Sequence, residues 1–381
     1  MKLTKSLLAV SVLGLTAMAA NATQYPDLPV AVKNGAGALI GDTVYVGLGT
    51  GGDKFYALNL KEKGAQWQEI TAFPGGARSQ STAAAVNCKL YVFGGFMNTE
   101  KMNNESINDA YVYDPATNAW TKLMTRSPKG ATAGTSAAAE GGKIYFVGGV
   151  NQEIWNGLFE DIKGAAGDKD KEKAIYDPYF NLRAQDFFFS PEIASYEPAT
   201  NTWRNEGLFP FAPRAGAALG IKDGKLIVVN GEIKAGLRTP ATELGTVGKE
   251  GIKWKKLGDL PAPKGEQSQE GLAAAMGGYS NGYYLVTGGA NFPGARANYA
   301  KGINDAHRTG GLKKTHHNEV YAFDSKKSTW KQVGELPVNI AAGVAVSYHN
   351  EVVLIGGETD SGKALSSVQT LSYDGKKLMV E

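Results

Sequence analysis

The amino-acid sequence predicts an all-β protein in which six four-stranded antiparallel sheets pack radially as a six-bladed β-propeller. Three features repeat along its 381 residues. Each unit starts with a Pro-containing turn and a strand of small residues, continues with a strand ending in Gly-Gly, and closes with an aromatic strand and a strand carrying Trp. A four-stranded sheet cannot bury both faces alone, so we expect such units to pack against one another around an axis.

The strand ending in Gly-Gly is the most regular part of the repeat. Its copies are Leu90–Gly95, Ile144–Gly149, Tyr283–Gly289 and Val352–Gly357, with a degenerate copy at Val44–Gly49 and a variant at Leu226–Gly231. Glycine belongs where strands crowd toward an axis, because a backbone without Cβ permits close approach and unusual dihedral angles. In the variant, Asn230-Gly231 replaces Gly-Gly and is followed by Glu232.

The second half of each unit joins two strands through a tight turn that ends in Trp. The clearest copies are Ala110–Trp120, Ala194–Trp203 and Val320–Trp330, while Trp67 and Trp254 mark two more units. The last unit closes with strands at Val368–Tyr373 and Lys377–Val380. Residues Pro29–Ala38 have the composition of a first strand, so we expect ring closure to join the two ends of the chain. The repeat resembles the kelch motif, which implies a kelch-type propeller over residues 23–381.

Two units carry long insertions, at about residues 150–190 and 290–316. Both insertions fall between the second and third strands, so both are expected on the face of the disc that also receives Glu232. The run of charges at residues 168–173 is most simply a solvated helix face. Long loops in compact domains are commonly functional, and these supply side chains suited to a polyhydroxylated ligand, namely Asn151, Arg296, Tyr299 and Arg308.

Residues 1–22 have the pattern of a cleaved secretory signal peptide. Lys2 and Lys5 precede an apolar stretch that ends in Ala20-Asn21-Ala22, a small-x-small cleavage site. The alternative, an N-terminal membrane anchor, needs nearly twenty apolar residues and no such site. We therefore expect export, and in a bacterium a periplasmic location.

Removal of the signal peptide lowers the formal net charge from +3 to +1, because the peptide contains two lysines and no acid. A chain so close to neutral gives no electrostatic reason to expect nucleic acid or an anionic membrane as partner.

Cys88 is the only cysteine, which excludes an intrachain disulfide, and it occupies a hairpin turn. Small molecules or proteins remain as ligands, and the sequence does not decide between a monomer and a homodimer.

Glu232 and Arg238 form the strongest candidate for chemistry. They are six residues apart, at a strand end and in the loop beyond it. A carboxylate at the mouth of a channel can serve as a proton carrier, and arginine presents a two-pronged donor to a substrate carboxylate. From spacing alone, a structural ion pair that closes the axis is the simpler interpretation.

Other motifs are weak. His316 and His317 are adjacent, so on an extended segment they point to opposite faces, and no further ligand accompanies them; a surface location is the simpler interpretation. The chain has no phosphate-binding loop, dinucleotide fingerprint, nucleophile elbow or metal motif.

Three segments resemble the bacterial periplasmic N-acetylneuraminate epimerases, also called sialic acid mutarotases. They are Gly148–Asp161, Asn230–Thr239 and Gly310–Lys314, and the similarity extends over nearly the whole mature chain. The resemblance implies that Glu232 and Arg238 are the active residues, since they match the two residues to which that family's activity is assigned. It reverses the preference for a structural ion pair.

The implied reaction interconverts the α and β anomers of free sialic acid by acid-base ring opening and closure, without a cofactor or metal. Glu232 would take the proton from the anomeric hydroxyl, and Glu232 through water, or a loop tyrosine, would protonate the ring oxygen. Arg238 would hold the substrate carboxylate, with Arg78, Arg214, Arg296 and Arg308 as further candidates.

Three alternatives were weighed. A sialidase would carry Ser-x-Asp-x-Gly-x-Thr-Trp boxes, whereas the Trp turns here have the kelch form. A copper oxidase of the galactose-oxidase type needs a Cys-Tyr crosslink and two histidine ligands, but all four histidines lie after residue 306. A non-catalytic periplasmic kelch module that binds carbohydrate or protein stays open, because fold does not fix function.

Overall fold

A computed structural model describes residues 25–130, 132–304 and 311–381 of the chain. These residues form six four-stranded antiparallel sheets arranged as the blades of a β-propeller, which confirms the predicted fold. Residues 1–22 lie outside the described residues, so the signal peptide stays a prediction.

Each blade consists of four strands in antiparallel order. Blade 1 contains β1 (Ala36–Ile40), β2 (Thr43–Gly47), β3 (Phe55–Asn59) and β4 (Gln68–Glu69), and blade 2 contains β5 (Thr82–Val86), β6 (Lys89–Met97), β7 (Glu105–Asp114) and β8 (Ala119–Lys122). Blade 3 contains β9 (Ser136–Glu140), β10 (Lys143–Val147), β11 (Glu192–Glu197) and β12 (Thr202–Leu208), and blade 4 contains β13 (Ala218–Lys222), β14 (Lys225–Val229), β17 (Thr242–Gly248) and β18 (Gly251–Lys256). Blade 5 contains β19 (Met276–Ser280), β20 (Tyr283–Thr287), β23 (Glu319–Asp324) and β24 (Thr329–Glu335), and blade 6 contains β25 (Val344–Tyr348), β26 (Glu351–Ile355), β27 (Val368–Tyr373) and β28 (Leu378–Val380).

The first strand of every blade lies on the axis, where it contacts the first strands of both neighbouring blades. These strands are rich in Gly and Ala, so six of them fit around one axis. The second strands are almost entirely buried, and their large apolar side chains fill the spaces between blades. The repeated Trp residues tie the blades together: the Nε1 of Trp120 donates to the Thr71 carbonyl at 2.9 Å, and that of Trp330 donates to Thr242 Oγ1 at 3.0 Å.

A closed ring of backbone hydrogen bonds surrounds the axis just before the first strands. One residue per blade donates its N–H to the carbonyl of the equivalent residue in the adjacent blade, at 2.9–3.4 Å, and all six residues have positive φ between 53° and 65°. The six residues are Asn34, Gln80, Gly134, Gly216, Ala274 and Ala342. Since the left-handed conformation costs an L-residue about 1–2 kcal/mol, the inter-blade hydrogen bonds must compensate for it at the four positions that are not glycine.

The ring of blades closes through the N-terminal segment, without exchange of a strand. Blade 1 begins at Ala36, so the predicted first strand at Pro29–Ala38 starts later than expected. The preceding residues instead lie along blade 6, where the Leu28 and Val32 N–H groups donate to the carbonyls of Ser366 and Leu365. The two ends of the chain therefore meet, as the sequence predicts.

The insertions emerge between second and third strands, as the uneven spacing of the repeat indicates. Blade 3 inserts two helices, α1 (Gln152–Gly164) and α2 (Lys169–Phe180), and the charged run at the start of α2 is mostly exposed, as predicted. Blade 5 inserts the ribbon of β21 (Ala290–Asn291) with β22 (Thr315–His316), and the short helix α3 (Ala295–Ala300). Blade 4 inserts the hairpin of β15 (Glu232–Lys234) with β16 (Leu237–Arg238).

The Gly-Gly position gives a testable account of blade packing. A Cβ at Gly148, where φ is 71°, would collide with the carbonyl oxygen of Arg214 in the next blade, whereas a Cβ at Gly141, where φ is 60°, would meet no atom within 4 Å. Both Gly→Ala changes impose the left-handed penalty, but only Gly148→Ala adds overpacking. We expect Gly148→Ala to lower the free energy of unfolding by about 1–3 kcal/mol more than Gly141→Ala does. Denaturant unfolding of the two variants measures this difference, and equal losses would contradict the inter-blade contact.

Candidate active site

The innermost strands and the hydrogen-bonded ring enclose a central cavity of about 370 Å³. Its wall is built mainly from Gly, Ala and backbone, with the amide residues Asn34 and Gln80. Among the described residues, the ionisable side chains in the wall are those of Glu232, Arg238 and Lys314. Pockets for small molecules usually measure about 300–1,000 Å³, so the cavity has the size of a site for one small polar ligand.

Glu232 and Arg238 face each other across the β15–β16 hairpin. They are paired residues of that ladder, and Arg238 Nη1 donates to Glu232 Oε1 at 2.9 Å. The Gly236 N–H, in the turn, donates to the same oxygen at 2.8 Å. The Arg238 side chain is nearly buried, because its Nε donates to the Ala290 carbonyl at 3.2 Å and its guanidinium lies over the Phe292 ring. Glu232 keeps 26% of its side chain exposed to the cavity.

The backbone explains why the carboxylate stands at this place. Asn230 takes the position of the first glycine with φ of 60°, and Gly231 follows with φ of 109°. Asparagine tolerates the left-handed conformation better than most residues, so the strand end keeps its geometry without Gly-Gly. The Glu232 N–H then donates to the Ala215 carbonyl at 2.9 Å, which brings the side chain to the edge of the cavity.

The same backbone bond recurs in every blade at the residue that follows Gly-Gly or its variant, and two of these six residues, Glu232 and Ala290, line the central cavity. The six residues are Thr50, Phe96, Val150, Glu232, Ala290 and Glu358. Glu358 is therefore a second carboxylate in the register of Glu232. Sequence reasoning missed it, although the signal was present as Glu358 directly after Gly356-Gly357.

Glu358 is buried and accepts hydrogen bonds from three cationic or polar side chains. Lys33 Nζ lies 2.9 Å from Oε2, while Lys314 Nζ and His316 Nε2 lie 2.6 and 3.0 Å from Oε1. Burial alone would raise the pKa of this carboxyl, but the hydrogen bonds from Lys314, Lys33 and His316 outweigh burial and lower its pKa to about 2. Glu358 is consequently a fixed anion at neutral pH.

The expected surface location of the histidine pair is wrong. His316 is only 3% exposed, because β22 places its ring between Glu358 and Asp360. His317 is also largely covered and points the other way, with Nδ1 3.3 Å from Glu319. The two rings do point to opposite faces, as alternation along an extended segment requires; what the sequence did not reveal is that both faces are covered.

These groups form a connected polar arc from Glu232 through Arg238, Lys314 and Glu358 to Lys33, and the first three of them line the cavity. The arc is physically connected. Arg238 is bonded to Ala290 of β21, Ala290 pairs with His316 of β22, and Lys314 and His316 both contact Glu358. Formal charges along the arc leave a surplus of one positive charge.

Another part of the cavity is bordered by aromatic side chains. A pocket of about 230 Å³ lies under α1 and α2, and it shares Gln80, Gly134, Ala215 and Glu232 with the central cavity. Its remaining wall contains Phe96, Trp155, Phe159, Phe180 and the run Phe187–Phe189. Lys234 fixes the hairpin against this insertion, since its buried Nζ donates to the Phe180 and Leu182 carbonyls at 2.7 and 2.8 Å. Glu232 thus stands between an apolar and a charged wall.

Arg78 and Arg214 lie away from the cavity wall, in equivalent positions of blades 2 and 4. Arg78 is bonded to Asp109 at 2.7 Å and Arg214 to both oxygens of Glu243 at 3.0 Å, and each also donates to the carbonyl at its strand end. Their side chains are only 1% and 2% exposed. This placement favours a structural role for both, which the sequence could not reveal because each partner lies about 30 residues away in another strand of the same blade.

The remaining predicted ligand residues are spread over the insertions. Asn151 caps α1, with its side chain accepting the Ile154 N–H at 3.0 Å. The Tyr299 hydroxyl accepts the Ala184 N–H at 2.9 Å, so it joins the two insertions instead of lining the cavity. Arg296 is exposed on α3. Arg308 lies outside the described residues.

Within residues 25–130, 132–304 and 311–381, no group of three or more His, Cys, Asp or Glu side chains is placed to hold a metal ion. No helix in these same ranges is both long and apolar enough to cross a membrane.

The lowered pKa of Glu358 predicts a specific dependence of stability on pH. Because its folded-state pKa of about 2 lies below the ordinary glutamate pKa of 4.5, Glu358 contributes stability that is fully present above about pH 4.5 and is lost as the pH falls toward 2. We expect the midpoint of thermal unfolding to fall more steeply between pH 5 and pH 3 in the wild type than in Glu358→Gln. Parallel pH profiles would show that the carboxylate is not held as described.

Comparisons with known proteins agree with this architecture. The model of the N-acetylneuraminate epimerase family matches residues 25–380. The chain is 70% identical to the N-acetylneuraminate epimerase of Pasteurella multocida (strain Pm70) and 58% identical to that of Haemophilus influenzae (strain 86-028NP), in both cases over the whole of each chain. The solved structure of YjhT is similar with a TM-score of 0.88 at 38% identity, covering 94% of this chain and all of that one. The chain belongs to the N-acetylneuraminate epimerase family.

Proposed function

We propose that the protein is an isomerase that interconverts the α and β anomers of free N-acetylneuraminate, with Glu232 as the proton carrier. The observation that carries the proposal is the position of Glu232, a partly exposed carboxylate in the wall of a cavity large enough for one sugar. The names of the full-length relatives, all N-acetylneuraminate epimerases, support the substrate.

The reaction needs only proton transfers. Among the described residues, the hydrogen bonds to Glu232 from Arg238 and Gly236 both use Oε1, so Oε2 is the oxygen that we propose meets the substrate. It takes the proton from the anomeric hydroxyl as the bond between the anomeric carbon and the ring oxygen breaks. The same carboxyl, directly or through one water, returns that proton to the ring oxygen. The open form is a ketone, and rotation about the bond between its carbonyl carbon and the ring carbon skeleton exposes the other face of the carbonyl. The reverse steps then close the ring on that face.

A loop tyrosine is a weaker second proton carrier than the sequence suggests. The described hydrogen bond of the Tyr299 hydroxyl is to Ala184, and its ring packs among the insertions. This favours the alternative in which Glu232 carries the proton in both directions.

Arg238 has two tasks in this proposal. Through Nη1 and the paired register of the hairpin it holds the Glu232 carboxylate in one orientation. The guanidinium also lies in the cavity wall, where it can donate to the carboxylate on the anomeric carbon of the substrate. Because both tasks use one rigid planar group, loss of Arg238 should impair binding and proton transfer together.

The alternative is a binding module that holds sialic acid without converting it. Such a module needs no ionisable group at position 232, whereas proton transfer requires one.

Export to the periplasm remains part of the proposal, and N-terminal sequencing of the protein recovered from cells reports whether the bond between Ala22 and Thr23 is cut.

Glu232→Gln tests the proposal directly. The substitution keeps the shape and removes the base, so we expect it to lower the rate of anomer exchange by about 10²–10⁴-fold. Proton NMR of freshly released α-N-acetylneuraminate follows the exchange, and Glu250→Gln, at an exposed turn of the same blade, is the matched control. If the wild type leaves the decay of the α anomer unchanged, the function is wrong; if Glu232→Gln keeps the full rate, only the assignment of Glu232 is wrong.

A further inference from the structure

We propose that the Lys314 ammonium is a second contact for the substrate carboxylate, and that Glu358 is the residue that positions it. This inference rests on the proposed function, because it assigns the anion of that substrate to a place in the cavity. The segment Gly310–Lys314 contributes to the family resemblance, but the sequence assigns Lys314 no role, and its relevance emerges from the contacts of three chain segments.

The location of Lys314 makes it available to a ligand. Lys314 lies in the cavity wall together with Glu232 and Arg238, and 46% of its side chain is exposed. Arg238, by comparison, is 8% exposed and already donates to Glu232 and to the Ala290 carbonyl. Of the two cations in the wall, Lys314 is the more accessible to a ligand.

The charges around Lys314 favour binding of an anion. Glu358 accepts from both Lys33 and Lys314, so one carboxylate faces two ammonium groups. Asp360 does not correct the imbalance at the cavity, because its described hydrogen bonds are with Asn339 and with the His316 N–H. An anionic group entering the cavity would therefore meet a positive charge that the protein leaves partly uncompensated.

The Lys314 side chain is held in place before a ligand binds. A lysine side chain has four rotatable bonds and loses much entropy when it is fixed. Here its end is already held by Glu358, which is itself buried and fixed from the other sides by Lys33 and His316. An ammonium held in place before binding contributes more affinity than a freely moving one. Lys33 and His316 act through Glu358 and are positioning residues.

The test compares the free acid with its methyl ester, which keeps the anomeric hydroxyl and loses the charge. Lys314→Met should weaken binding of N-acetylneuraminate by about 10–100-fold, as expected for loss of a hydrogen bond between charged groups, and leave binding of the ester unchanged. Lys314→Arg should restore most of the preference for the acid. Lys313→Met is the matched control, because Lys313 is the exposed neighbouring residue and does not line the cavity. Calorimetry measures binding of both ligands to each variant.

The outcomes separate this inference from the proposed function. If Lys314→Met weakens binding of the acid and of the ester equally, or weakens binding of neither, the assignment of Lys314 is overturned even when the wild type interconverts the anomers. If the acid preference is lost in Lys314→Met but the wild type does not accelerate exchange, the carboxylate site stands and the proposed function fails. If the wild type binds neither ligand, both are wrong. If the wild type is active, NMR kinetics should show a raised KM with little change in kcat for Lys314→Met. Glu358→Gln should raise KM less, because Lys314 remains but is no longer held in place.

Discussion

The closed ring of hydrogen bonds between six left-handed residues is the constraint on which the rest of the structure depends. Each blade contributes one N–H and one carbonyl to it, so the inner ends of all blades stand at one height and one distance from the axis. In blades 2, 3, 5 and 6 the Gly-Gly pair at the end of the second strand then packs against the next blade, where a Cβ at the first glycine would strike that blade. A central cavity and six equivalent backbone positions, one after each pair, follow from this geometry.

The blades differ in the side chains that they place at equivalent positions, and these differences create the site. The residue at this equivalent position is apolar in blades 2 and 3, as Phe96 and Val150, and a carboxylate in blades 4 and 6, as Glu232 and Glu358. The insertions extend the same asymmetry, since the helices of blade 3 add aromatic rings and the ribbon of blade 5 adds Lys314 and His316. The cavity thereby acquires an apolar border and a charged one, and Glu232 lies where they meet. A sugar that carries one carboxylate matches that division.

The two carboxylates of the cavity edge show how the same position acquires different tasks. Glu232 has one strong cationic partner and keeps part of its surface in the cavity, as proton transfer requires. Glu358 has two ammonium partners and an imidazole, and its pKa is held low at about 2, so it is a permanent anion that organises its neighbours. Burial and partner number, not residue type, distinguish them.

The sequence was sufficient for the fold because every blade repeats the same local instructions, and the break in that repeat at Asn230-Gly231-Glu232 identified one candidate residue. It was insufficient for contacts between distant segments. Glu358 joins Lys33, Lys314 and His316 across as many as 325 positions, and no local pattern reports such a contact. The repeat does indicate that Glu358 is of interest, because an alignment of the blades on Gly-Gly puts Glu358 in the same column as Glu232. Arg78 and Arg214 were also candidates for ligand binding, but each forms an ion pair with a carboxylate of its own blade, Asp109 and Glu243 respectively.

We propose that N-acetylneuraminate binds in the axial cavity with its anomeric oxygen on Glu232. A crystal structure of Glu232→Gln with the sugar would show this binding mode, because the variant should bind without turnover. We expect the anomeric oxygen about 2.6–3.2 Å from the side chain at position 232, within hydrogen-bond reach, and the substrate carboxylate against Arg238 and Lys314. A sugar bound with its anomeric carbon turned toward the aromatic wall, away from position 232, would contradict it.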